Sequence, residues 1–121
     1  MKISELPWSF PEPRPHYPEL YVTGVGQDGD LAKRLISEGV SIVFSALPDS
    51  PASQIEEDLA MSGLVVISHS TIHRHSEKVP LIVPEVNNGH LKLTDSQTEY
   101  EGGMLVSCSN CMVVPLAISL A

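Results

Sequence analysis

Two stretches of this chain carry residue types that could do chemistry. The first is MLVSCSNCMVVPLAISLA at Met104–Ala121, which holds the two cysteines, Cys108 and Cys111. The second is ISHSTIHRH at Ile67–His75, with His69, His73, Arg74 and His75 close together. Met104–Ser107 is short, apolar and β-compatible, Ser107–Asn110 is small and polar, and the apolar run from Met112 reads as a helix start. Cys111 therefore falls at a strand-to-helix turn. Unpaired backbone N–H groups and the positive end of a helix both favour negative charge on a sulfur placed there, which makes Cys111 a candidate nucleophile. An ordinary buried cysteine is the alternative.

The elements that must hold these residues can be read in chain order. Residues 1–18 contain five of the ten prolines, so they form neither a helix nor a central strand and are expected as an extended strap. Trp8 and Phe10 are expected to pin it by burying aromatic area. Glu19–Val25 reads as a short strand. The run GVGQDG at Gly24–Gly29 has G-x-G-x-x-G spacing but is flanked by Asp28 and Asp30 where a pyrophosphate would sit, and is read as a turn. Leu31, Leu35 and Ile36 share one side of a short helix stopped at Gly39. SIVFSAL (Ser41–Leu47) is a near-continuous apolar run of the kind found in buried parallel strands. Ala52–Met61 reads as an amphipathic helix with Ile55 and Leu59 inward and Glu56, Glu57 and Asp58 on a solvated face. LVVIS (Leu64–Ser68) is a second strand, Leu81–Val83 a third, and Asn87–Leu93 a turn with a short helix. The strand, helix, strand order predicts an α/β fold with a mainly parallel sheet.

Composition bounds the rest. In 121 residues, 42% are hydrophobic, and fifteen acidic against seven basic residues give a net charge of −8, which opposes nucleic acid or an anionic membrane as partner. No leader or membrane-spanning run is evident, so the cytoplasm is the expected location, with the thiols reduced. No internal repeat is present.

Four motifs in order, SIVFSALP (Ser41–Pro48), ISHSTIHRH (Ile67–His75), VPLIVPEVN (Val79–Asn87) and SNC (Ser109–Cys111), resemble aspartate-semialdehyde dehydrogenase, closest to its archaeal and fungal branch. The W-x-F-P-E-P start at Trp8–Pro13 is similar to the segment preceding that core. The resemblance implies a partial Rossmann-like NAD(P)-binding domain over residues 19–121, ending at the helix of the catalytic cysteine. It also implies the family's reaction: reductive dephosphorylation of aspartyl phosphate to aspartate semialdehyde with NADP as cofactor, within lysine, methionine and threonine biosynthesis. By the same resemblance Cys111 forms the thioester, Asn110 positions the substrate carbonyl, and Arg74 holds the substrate carboxylate or phosphate. Ser45, Ala46, Leu47 and Pro48, with Ser68 and Ser70, would line the cofactor. No metal is implied, and full-length family members are homo-oligomeric.

The chain departs from the family pattern at His69, His75 and Met112–Val113. The resemblance further places the glycine-rich phosphate loop before the matched region and the histidine base after Ala121. The chain is thus expected to be a fragment without turnover of its own, with an uncovered apolar sheet edge that promotes self-association. Malonyl-CoA reductase shares the ancestry and the cysteine chemistry. Two readings of other classes remain: a zinc site from Cys108, Cys111 and the histidines, and a C-x-x-C redox module. A single C-x-x-C without a second pair is weak for zinc, and the residues flanking it do not resemble thioredoxin-like proteins.

Overall fold

Two helix-to-strand steps of the same design build the sheet. Helix α1 (Leu31–Ser37) ends where Gly39 N–H bonds Ile36 O and Val40 N–H bonds Leu35 O, both at 3.0 Å, with Gly39 at φ +79°. Helix α2 (Asp49–Met61) ends in the same way: Gly63 N–H reaches Ala60 O, Leu64 N–H reaches Leu59 O, and Gly63 has φ +91°. Each is a Schellman stop whose left-handed residue must be glycine. Each hands the chain straight to a strand, β1 (Ile42–Ser45) after the first and β2 (Val65–Ser68) after the second.

The computed structural model describes residues 2–14, 21–25 and 31–121. The chain divides into two compact units, Met1–Leu31 and Ala32–Ala121. In the first, a short 3-10 helix spans Ile3–Glu5 and an antiparallel bridge joins Lys2 to Tyr21. The Trp8 and Phe10 rings lie 5.2 Å apart, Trp8 Nε1 donates to Glu12 O at 2.8 Å, and Arg14 donates to Ser4 O and Leu6 O. Both rings remain exposed, tilted at 56° to each other, instead of burying their area as expected. Of the expected strand at Glu19–Val25, the described part holds only the Tyr21 bridge. Residues 26–29 of the glycine run lie outside the described residues, as do 15–18 of the strap.

The second unit adds β3 (Leu81–Ile82), a single-turn helix α3 (Pro84–Asn87), a 3-10 stretch over Asn88–Ser96, β4 (Met104–Cys108) and α4 (Val113–Leu120). Strand order is β1-β2-β4-β3 and every pairing is parallel, as the α/β reading requires. Alternation puts Val43, Ser45, Val66, Ser68, Leu105 and Ser107 on one face, and α2 packs there against β2 and β4. Ala52, Leu59, Ala60, Leu64, Val66 and Leu105 form the core of that layer.

Four expectations need correction. SIVFSAL is not a buried strand: β1 is at the sheet edge, with Ile42 51% and Phe44 76% exposed. Its apolar run reports what the strand could bury, while burial depends on a neighbouring layer, and Ile42 and Phe44 point to the face opposite the one that α2 covers. Glu56 is not on the solvated face; it belongs with Ala52, Leu59 and Ala60 on the buried stripe of α2, at spacings of i+4, i+7 and i+8. The third strand is shorter than Leu81–Val83, because Val83 already precedes the helix that begins at Pro84, and the expected turn at Asn87–Leu93 is a longer 3-10 stretch.

The short β3 leaves ladder groups to be satisfied by side chains. Asn87 Oδ1 accepts from Val83 N–H at 2.8 Å and its Nδ2 donates to Leu81 O at 2.9 Å. Buried Gln97 does the same for β4: its Oε1 accepts from Leu105 N–H, and Nε2 donates to Leu105 O and Lys78 O. Both amides stand in for missing strand partners, so no buried ladder group of Leu105 is left orphaned. Among the described residues no helix is long and apolar enough to cross a membrane.

Candidate active site

The carboxyl ends of parallel strands converge at one edge of the sheet, which is where open α/β sheets place ligands. Three serines mark it. Ser45 pairs in register with Ser68, and Ser68 with Ser107, so the hydroxyls form a row across β1, β2 and β4 on the face covered by α2. All three residues are buried. Ser68 Oγ accepts from Ser70 N–H at 3.1 Å, whereas Ser45 Oγ and Ser107 Oγ have no hydrogen-bond partner among the described residues.

The segment after β2 is bound to the start of α2 by Asp49. Ser70 Oγ donates to Asp49 Oδ1 at 2.8 Å, Thr71 N–H to the same oxygen at 2.9 Å, and Thr71 Oγ1 to Oδ2. The Thr71 hydroxyl, then the Ser70 hydroxyl and the Thr71 amide, hold the Asp49 carboxyl below its ordinary range, and the Arg74 charge adds a smaller push in that direction. Ser68 and Ser70, expected along the cofactor, thus spend their hydroxyls on shaping this segment. Asp49 was not singled out by the sequence, although an acid in the first turn of a helix is a recognisable pattern.

Arg74 is half-buried. Its Nη2 donates to His69 O at 2.9 Å, and its buried Nε has no partner among the described residues. Its charge acts on Cys108 as well as on Asp49. Burial pushes the Cys108 thiol up, and Arg74 offsets part of that effect. His73, the residue before Arg74, is buried against α2: its Nε2 lies 2.9 Å from Glu56 Oε2, with side-chain exposures of 6% and 0%. His69 and His75 are exposed, and among the described residues no three metal-ligating groups come together. The histidine cluster of the sequence is therefore dispersed by the fold.

Cys111 is exposed in the turn between β4 and α4, and both cysteines are free thiols. The unpaired amides expected beside it are taken. Asn110 Oδ1 accepts from Met112 N–H at 2.8 Å, and Asn110 O accepts from Val113 and Val114 N–H at 2.9 and 3.1 Å. Asn110 is thus the cap that starts the helix, with its Nδ2 left to donate outward. Cys111 keeps the exposure and the position before an eight-residue helix, but not a ring of vacant donors.

The backbone of Ser45–Pro48 emerges beside Ser68–Ser70, tied by His69 N–H to Ser45 O at 2.9 Å. A nucleotide cofactor fits this rim: Ser45 offers a buried hydroxyl without a partner, and Ala46 and Pro48 are exposed next to it.

Comparison with known proteins agrees with this geometry. Residues 17–94 match the family described as semialdehyde dehydrogenase, NAD binding domain. The aspartate-semialdehyde dehydrogenase of Archaeoglobus fulgidus is 43% identical over 81 residues, covering 65% of this chain and 24% of that protein. The malonyl CoA reductase (NADP) of Metallosphaera sedula is 38% identical over 87 residues, 70% of this chain and 24% of the relative. The crystal structure of aspartate semialdehyde dehydrogenase with NADP from Candida albicans superimposes with a TM-score of 0.54 at 32% identity, covering 64% of this chain and 25% of that one. The chain spans about a quarter of the length of these relatives. Parallel strands with a cysteine at the turn after the last of them, together with these matches, establish that the chain belongs to the semialdehyde dehydrogenase family and carries its NAD-binding domain.

Proposed function

We propose that this chain is the NADP-binding part of an aspartate-semialdehyde dehydrogenase acting in the cytoplasm on the route to lysine, methionine and threonine, and that the whole enzyme is a homo-oligomer. The observation that supports it most is that Ser45–Pro48, the segment with Arg74 and the turn with Cys111 each follow the carboxyl end of a strand of one parallel sheet, β1, β2 and β4 in turn. NADP, when bound, supplies the hydride chemistry. Cys111 Sγ attacks the acyl carbon of aspartyl phosphate, and phosphate leaves. Asn110, fixed by its bond to Met112 N–H, directs its amide toward the carbonyl oxygen. Arg74 takes the substrate carboxylate or phosphate through paired guanidinium donors. Ser45, Ala46, Leu47 and Pro48 hold the cofactor at the rim, while Ser68 and Ser70 set the path of the segment beside it.

A second reading is a malonyl-CoA reductase, favoured by the Metallosphaera relative. Iodoacetamide labelling followed by mass spectrometry tests the nucleophile. Cys111 should label faster than half-buried Cys108, and aspartate semialdehyde should slow Cys111 in the wild type but not in Arg74→Ala; equal slow labelling of both thiols would remove the assignment. In an assay with aspartate semialdehyde, phosphate and NADP, the 121-residue chain should give no NADPH, and a longer polypeptide bearing the same sequence should give it only while Cys111 is present. Response to coenzyme A and malonate semialdehyde instead would select the second reading.

A further inference from the structure

We propose that Glu56 and His73 form an internal tether that sets the direction of the Arg74 guanidinium, and so act as positioning residues for anion binding at the sheet edge. This deepens the reading of Arg74 given above and rests on it. The pair joins two elements that no ladder connects: Glu56 comes from the middle of α2, and His73 from the irregular segment after β2. Both are buried, and Nε2 and Oε2 are 2.9 Å apart. The contact is a close ion pair and not a hydrogen bond: among the described residues neither Glu56 oxygen nor His73 Nε2 has a partner of hydrogen-bond geometry, so each of these buried atoms relies on the other's charge.

A buried acid opposite a buried imidazole is a poor way to gain stability, because desolvating both groups costs about as much as their attraction returns. What it supplies is direction. An apolar pair in the same space could slide or rotate, whereas attraction across the 2.9 Å contact keeps the imidazole nitrogen on the carboxylate side. Arg74 is the next residue, so fixing the His73 side chain inward fixes Arg74 outward. The segment is then held at two points, by Asp49 on Ser70 and Thr71 and by Glu56 on His73. Arg74 needs the second anchor because, among the described residues, its side chain makes one hydrogen bond, to His69 O at 2.9 Å, and leaves Nε unpaired.

The test uses the 121-residue chain and the NMR signal of the Arg74 Nε–H group, identified by its loss in Arg74→Lys. In the wild type this signal should be resolved and should shift on titration with inorganic phosphate. Glu56→Leu, of similar volume, should collapse it to the position of a mobile arginine and weaken the phosphate response by about tenfold or more, the scale of one lost charge-assisted hydrogen bond. Glu56→Gln, whose amide oxygen can still accept from the imidazole, should restore both. Should Glu56→Leu not fold, the double variant Glu56→Leu with His73→Leu, which leaves no buried orphan, is read in the same way. An Arg74 signal unchanged in the apolar variants would overturn the tether, since it would show that filling the space is enough. If phosphate does not move the wild-type signal, anion binding by Arg74 is what fails, and the ligand-free signals of the variants still decide the tether.

Discussion

Val66 in β2 is fully buried and Phe44 in the adjacent β1 is 76% exposed, although both are apolar residues of neighbouring parallel strands. The difference is the face each occupies. Val66 lies under α2 with Leu105, Leu59 and Ala60, while Phe44 alternates onto the opposite face with Ile42. The α2 side is finished to the level of single atoms: a Cβ built on Gly103 would lie 2.0 Å from Ala60 O. The opposite side is unfinished at β1, and α4 is likewise apolar with Leu116, Ile118 and Leu120 exposed. One sheet thus shows that strand pairing does not itself bury apolar area; a second layer does.

That contrast can be broken from the closed side first. Gly103→Ala should be the most damaging change, on the order of 3–5 kcal/mol, because the atom it meets is helix backbone that cannot rotate away. Thermal melts followed by circular dichroism should show the loss or absence of a cooperative transition. Leu105→Ala removes a fully buried side chain and should cost about 2–5 kcal/mol in urea titrations, with the slope of the transition unchanged.

On the open side the effect moves from stability to association. Phe44→Ser should change unfolding free energy by only about 0.5 kcal/mol or less, yet reduce self-association in light scattering. A large loss of stability there would mean that the open face is packed in solution. Asp49→Asn should have the smallest effect and a defined pH dependence. The Asp49 carboxyl is held below its ordinary value in the fold, so its contribution is present above the unfolded value of about 3.9 and is lost as pH falls through the lower folded value. Wild type should therefore melt above Asp49→Asn near neutral pH, and the two should converge in acid.

The elements followed directly from the chain because their causes are local. Gly39 and Gly63 stop helices where a left-handed residue is required, β-branched and aromatic residues at Ile42–Phe44 and Val65–Ile67 form strands, and Cys111 falls between Met104–Cys108 and Val113–Leu120. The sequence motifs also carried the family, and with it the identity of the candidate nucleophile. Burial and partnership did not follow, because they depend on which surfaces meet. Only the fold turned β1 into an exposed edge, drew Glu56 out of an acidic trio to face His73, and committed Asn110 to capping. A signal for Glu56 did exist in its i+4 spacing from Ala52, but its charge outweighed its position when the helix was read alone. For Gln97 there was none: an amide eight residues from Leu105 becomes a strand partner only after the chain folds back alongside β4. Local backbone preferences are written residue by residue, whereas the environment of a side chain belongs to whatever packs against it, and that is decided by tertiary structure.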